Sequence, residues 1–104
     1  MNKILSLLGL AKKAGKVVVG TDAVISKLQD NNLNLIFIAS DASFATIDKL
    51  EKKSFYYNVK IIKSFTSDEL SDAIGSNNNK VLGIQDAGFA KAMLKHHTVE
   101  VEGE

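Results

Sequence analysis

Leu35 to Ala39, LIFIA, is an unbroken apolar run of strand length, and it limits what the chain can fold into more than any other stretch. A run this short is a strand rather than a helix. With no polar alternate positions, both of its faces must be covered. Three further β-type stretches surround it: Val17 to Val19, Val59 to Lys63 and Val81 to Ile84. Helical patterns separate them. Ile4, Leu7, Leu8 and Ala11 recur at i, i+3, i+4 and i+7, which predicts an amphipathic helix from Asn2 to Ala14 ended by Gly15. A second helix is expected from about Asp22 to Gln29 with Val24, Ile25 and Leu28 inward, broken by Asn31-Asn32. Phe44, Ile47 and Leu50 mark a third as far as about Tyr57. Thr66-Ser67-Asp68-Glu69 has capping-box spacing ahead of a short fourth helix with Leu70, Ala73 and Ile74 inward, which Gly75 ends. Phe89, Ala92 and Met93 give the inner face of a fifth.

The order is αβαβαβαβα, and strict alternation of short strands with helices implies helices on both faces of one sheet. The expected fold is a three-layer α/β/α sandwich with a four-stranded mixed sheet. At 104 residues the chain is read as one domain over residues 1–97, with an acidic, frayed tail over 98–104. There is no cysteine, so disulfides, thiolate metal sites and cysteine nucleophiles are excluded. The first apolar run is too short to span a membrane, and its lysines follow it, unlike those of a signal peptide. The expectation is a cytoplasmic protein with no membrane contact.

A net charge of +1 hides an asymmetry: Lys3, Lys12, Lys13 and Lys16 are unaccompanied by acids, whereas Glu100, Glu102 and Glu104 close the chain. A localised basic patch suits a polyanion, although all thirteen basic residues are lysines and no guanidinium fork is available. Ligands of open α/β sheets gather where strands end and helices begin, here Gly20 to Asp22, Ser40 to Ser43, Phe65 to Ser67 and Gln85 to Gly88. The first is the most suggestive. Gly20 allows a sharp reversal, Thr21 or Asp22 can accept hydrogen bonds from helical N–H groups, and Lys16 adds charge to a helix start suited to phosphate. The plain alternative is a well-capped turn.

Other chemistry is sparse. Adjacent His96 and His97 diverge by about 100° on a helix and read as a polar cap near its C-terminus, not a metal pair. Asp41 and Asp86 both follow strands, where two carboxylates could share Mg²⁺ or take a phosphoryl group, but cap and turn aspartates look the same. Of Phe55-Tyr56-Tyr57, which could stack on bases, at least two rings are expected in the core.

The segments LLGLAKKAGKVVVGTDAV, LIFIASDAS, YYNVKIIKSFTSDELSDAIG and VLGIQDAGFAKAML resemble the small bacterial YlxQ-type members of the kink-turn RNA-binding ribosomal protein superfamily, relatives of L-seven-Ae and L-thirty-e. The resemblance spans residues 3 to about 95. It implies an α/β/α sandwich that binds sharply bent or ribosomal RNA without catalysis, cofactor or small-molecule substrate. It carries the RNA surface onto Lys16, Gly20, Thr21, Asp22, Ala23, Ser26 and Lys27, together with Gln85, Asp86, Ala87 and Gly88. Lys80 is expected at the other end of the sheet. Stronger binders of that family have an asparagine-glutamate pair after the glycine and a lysine one turn later. This chain has Asp22-Ala23 and Ser26, with Lys27 one residue late and so turned about 100°. Two alternatives stay open: a protein-interaction module on the same fold, and a small Mg²⁺ or phosphoryl site at Asp41 and Asp86.

Overall fold

The computed structural model describes residues 2–77 and 79–102, with side chains described through residue 97. Nine elements alternate as expected: α1 (Lys3–Lys13), β1 (Val17–Val19), α2 (Thr21–Gln29), β2 (Leu35–Ile38), α3 (Phe44–Tyr57), β3 (Ile61–Ile62), α4 (Ser67–Ile74), β4 (Val81–Ile84) and α5 (Ala87–Glu102). The strands form one mixed sheet in the order β1-β4-β2-β3. β3 runs parallel to β2, whereas β4 is antiparallel to both β1 and β2. Three strands therefore point one way and β4 points the other.

The apolar run behaves as its composition requires. Successive side chains of a strand point to opposite faces, so Leu35 and Phe37 enter one core with Leu82 and Ile84, and Ile36 and Ile38 enter the other with Val81. The first core is closed by Ile4, Leu8 and Ala11 of α1, Leu70 and Ile74 of α4 and Met93 of α5. The second is closed by Val24 and Leu28 of α2 and Leu50 of α3. Each fully buried Leu, Ile or Phe contributes about 1.5–3 kcal/mol, so this doubly covered strand pair is the main source of stability. The result is the α/β/α sandwich, with α1, α4 and α5 on one face and α2 and α3 on the other. No described helix is long and apolar enough to cross a membrane.

Some local expectations shift. Asn2 is the N-cap of α1 rather than its first residue, its side chain accepting from the Ile4 and Leu5 amides at 2.8 and 3.3 Å. β3 shrinks to Ile61–Ile62, since only these residues reach β2 in register. The capping box at Thr66 and Glu69 forms as expected. α5 is helical through Glu102, so His96 and His97 lie within it rather than at its end. The side chains of the acidic tail lie outside the described residues.

Helix α3 corrects the sequence reading most. Its inner side is formed by Ile47, Leu50 and Ser54, and Phe44 is 84% exposed. Three-residue steps drift about 60° each on a helix, so Phe44 lies well off the stripe that Leu50 and Ser54 define. Phe55 and Tyr56 are 88% and 79% exposed, where burial of at least two rings of Phe55-Tyr56-Tyr57 was expected. The buried Ser54 holds the inward position, and its two successors turn out.

Candidate nucleic-acid interface

Strand direction decides which residues meet. At one end of the sheet the Gly20 N–H donates to the Val81 carbonyl at 2.9 Å, the Ala39 N–H to the Lys80 carbonyl at 2.8 Å, and the Ser40 N–H to the Phe65 carbonyl at 2.8 Å. The start of α2, the start of β4 and the loops after β2 and β3 are therefore neighbours. At the other end the Gln85 N–H donates to the Lys16 carbonyl at 2.9 Å and the Asn34 N–H to the Ile84 carbonyl at 2.8 Å. The structure thus separates the expected site residues into two groups. Gly20, Thr21, Asp22 and Ala23 are at the first end, and Ser26 and Lys27 follow about one to two turns along α2. Lys16 and Gln85 to Gly88 are at the second, the length of β1 away, about 13 Å for four residues of strand. Lys80 was expected away from Gly20 and lies beside it, because β4 is antiparallel.

The start of α2 has an unusual backbone. Gly20 is the N-cap with φ 102° and ψ 150°, a combination that is essentially glycine's alone, and no side chain caps the helix. The expected capping by Thr21 or Asp22 does not form. α1, α3 and α4 are capped by Asn2, Ser43 and Thr66, and the Phe89 N–H near the start of α5 donates to Asp86 at 2.8 Å. An uncapped first turn leaves amides for an outside acceptor and carries partial positive charge. A side chain at Gly20 would meet nothing within 4 Å, so the approach is open. Asp22, Ala23 and Ser26 are exposed beside it, and Lys27 is half-buried against the flank.

The α4–β4 loop, absent from the sequence reading of the site, borders this end. The Asn79 N–H donates to Ser71 Oγ at 3.0 Å, which ties the loop to α4 and holds the exposed Lys80 next to Gly20. Local sequence carries no sign of this. Only knowledge of the direction of β4 would have shown it.

The carboxylate pair does not assemble. Leu35 pairs with Ile84 and Ile38 with Val81, so Asp41 and Asp86 follow strands that end on opposite sides. At least the length of β2, about 10 Å, lies between them, too far to share one ion. Both are occupied structurally: Asp41 accepts from Ser67 N–H at 2.8 Å and Ser67 Oγ–H at 2.6 Å, and Asp86 from the Phe89 N–H. The Ser67 hydroxyl, then its amide, hold the Asp41 carboxyl below its ordinary pKa, with Lys80 adding a smaller attraction. Among the described residues no group of three or more metal-ligating side chains forms.

A profile of the ribosomal protein L7Ae/L30e/S12e/Gadd45 family matches residues 2–94. An Enterococcus faecium protein named RNA-binding protein YlxQ is 39% identical over 89 residues, covering 86% of this chain and 85% of that protein. Its namesake from Bacillus subtilis (strain 168) is 36% identical over 88 residues, covering 85% and 88%. Among solved structures, a Bacillus halodurans protein of unknown function superposes with a TM-score of 0.90 at 32% identity, covering 92% of this chain and 97% of that one. The Giardia lamblia 15.5kD RNA binding protein superposes with a TM-score of 0.79 at 16% identity, covering 93% and 84%; at that identity the likeness is one of fold.

Proposed function

The chain belongs to the ribosomal protein L7Ae/L30e/S12e/Gadd45 family, and on that premise we propose that it binds structured RNA at the end of the sheet where α2 begins. The observation that carries this reading is its 39% and 36% identity, over most of its length, to two proteins named as RNA-binding. Geometry supports the choice of end. An uncapped helix start and an open glycine offer amides to a phosphate backbone, and Lys80, whose backbone lies at the same end of the sheet, adds a basic residue there. RNA is read best where its helix is broken, because a regular A-form groove hides the base edges. A kink-turn, with its sharp bend and sheared G·A pairs, exposes such edges to Ala23, Ser26 and the α2 amides. Asp22 suits guanine N–H donors and repels phosphate, so it favours an edge contact over a backbone one. The role is binding alone, in ribosomal or ribosome-associated RNA, and Lys16 and Gln85 to Gly88 would be reached only by an RNA that extends past β1.

One observation favours a second reading. Ala23 and Ser26 bring no charge to the α2 face, which suits a protein-interaction module on the same fold. Titration against a kink-turn duplex and a straight duplex of the same composition separates the two. Tighter binding of the bent RNA is expected. Absent binding replaces the RNA reading with the protein one, and equal binding removes the preference for a bend.

A further inference from the structure

Among the described residues, three of the five exposed large apolar side chains lie on one helix, α3: Phe44, Phe55 and Tyr56. Eleven residues bring Phe55 back to within about 20° of Phe44, some 16 Å further along the axis, and Tyr56 sits about 100° around. The Tyr56 ring is not loose. It makes an edge contact with Tyr57 at 4.9 Å and 82°, and Tyr57 is itself half-buried against the core beneath α2 and α3. A flat ring is thereby held in water, where it gains nothing from burial.

Charge surrounds these rings. Residues 44–63 contain five lysines and two acids, a balance of +3 (5 − 2). Both acids are engaged, Asp48 with Lys52 at 3.0 Å and Glu51 with Lys63, so the remaining lysines are not neutralised by them. Lys49, Lys52 and Lys53 fall between Phe44 and the two distal rings. A second copy laid on this face would set the unpaired Lys49 and Lys53 against the same two lysines, which disfavours self-association. Stacking faces interleaved with cations are what a single-stranded polynucleotide requires, since every base has a π-face and every linkage a phosphate.

Position joins this face to the interface already described. β1 and β2 are both antiparallel to β4, so α2 and α3, which follow them, start at the same end of the sheet and pack side by side. Phe44 opens α3 where α2 opens. We propose that α3 is a second RNA contact, which takes single-stranded RNA flanking the structured duplex by stacking on Phe55 and Tyr56, with Lys49 and Lys53 along the phosphates. This rests on the RNA reading above and adds to it the partner's single-stranded arm.

The test compares wild type with the double variant Phe55→Ala/Tyr56→Ala on three probes: a blunt kink-turn duplex, the same duplex with an oligoadenosine extension at either end, and free oligoadenosine at low salt. Circular dichroism checks the fold of the variant. Wild type should bind the extended duplex more tightly than the blunt one, and the variant should lose about tenfold or more on the extended RNA and nothing on the blunt. Equal binding of both duplexes by wild type, or unchanged binding of the extended RNA by the variant, overturns the α3 contact and leaves the duplex reading standing. Binding of oligoadenosine that depends on both rings, without binding of the blunt duplex, supports α3 and removes the duplex reading. Self-association in sedimentation that the double substitution abolishes, with no effect on RNA, overturns the proposal in favour of a homodimer face.

Discussion

The Gly20 N–H donates to the Val81 carbonyl at 2.9 Å, and that one bond sets the start of α2 against the start of β4. It exists because β4 runs against its neighbours, and its consequence is electrostatic. Lys80, which precedes Val81, puts a basic residue at the sheet end where α2 starts with its partial positive charge.

Replacing Lys80 with alanine should therefore weaken binding of a blunt kink-turn duplex and make its salt dependence shallower by about 0.9 in log-log slope, the loss of one phosphate contact. Lys16→Ala, at the far end of β1, should change neither. The wild-type slope itself should be shallower than about −4, because few lysines border that end. Fluorescence anisotropy titrations over a salt series measure all three. A larger effect at Lys16 than at Lys80 would move the interface to the Gln85 to Gly88 end.

Gly20→Val should cost about 1–3 kcal/mol of folding stability, read as a lower urea midpoint, because φ 102° with ψ 150° is strained for any side chain. Crowding contributes nothing, since the added Cβ would stand in open space. That open space is also where an acceptor must approach the α2 amides. Binding should fall beyond what the residual folded fraction explains, and a folded variant with wild-type affinity would sink the site.

Features that depend on a few adjacent residues were legible in the sequence. Thr66 and Glu69 spell their capping box, and Ile4, Leu8 and Ala11 spell the inner face of α1. Strand direction is different, because Val81 to Ile84 alternates between the two cores whichever way it runs. Its direction is fixed by pairing with Val17 to Val19 and Leu35 to Ile38, across loops that state no orientation. Lys80 was misplaced for this reason, and the alternative of an ion shared by Asp41 and Asp86 falls for it too, which leaves both as the turn and cap aspartates that they also resembled. The α3 rings were misjudged for another: aromatic character suggested core, but Ser54 occupies the inward position and leaves Phe55 and Tyr56 outside.

Asp41 links the β2–α3 loop to the start of α4 through two bonds to Ser67, and its carboxyl is held below the ordinary value, chiefly by the Ser67 hydroxyl and next by its amide. A depressed pKa in the folded state means that the contribution is complete above the unfolded value of about 3.9 and is lost as pH falls through the lower folded one. Asp41→Asn should lower the urea midpoint at neutral pH, and its difference from wild type should shrink on acidification below about pH 4. A difference that stays constant down to the acid transition would mean that the Asp41 charge is not what the Ser67 bonds stabilise.

Ser26→Lys should strengthen RNA binding. Ser26 is exposed four residues after Asp22 and so lies on the same outward side of α2, whereas Lys27 is turned about 100° and half-buried. A lysine at 26 would place its ammonium one turn beyond the uncapped amides, within reach of the same phosphate backbone. The expected gain is several-fold in affinity, with a slope steeper by about 0.9. Ser26→Gln, similar in length and uncharged, should give little of either. Stability should hold, because the substitution lengthens an exposed side chain on a good helical site. Should Ser26→Lys bind no better than wild type while Lys80→Ala binds worse, the RNA would meet the α4–β4 loop and the α2 start without lying along the second turn of α2.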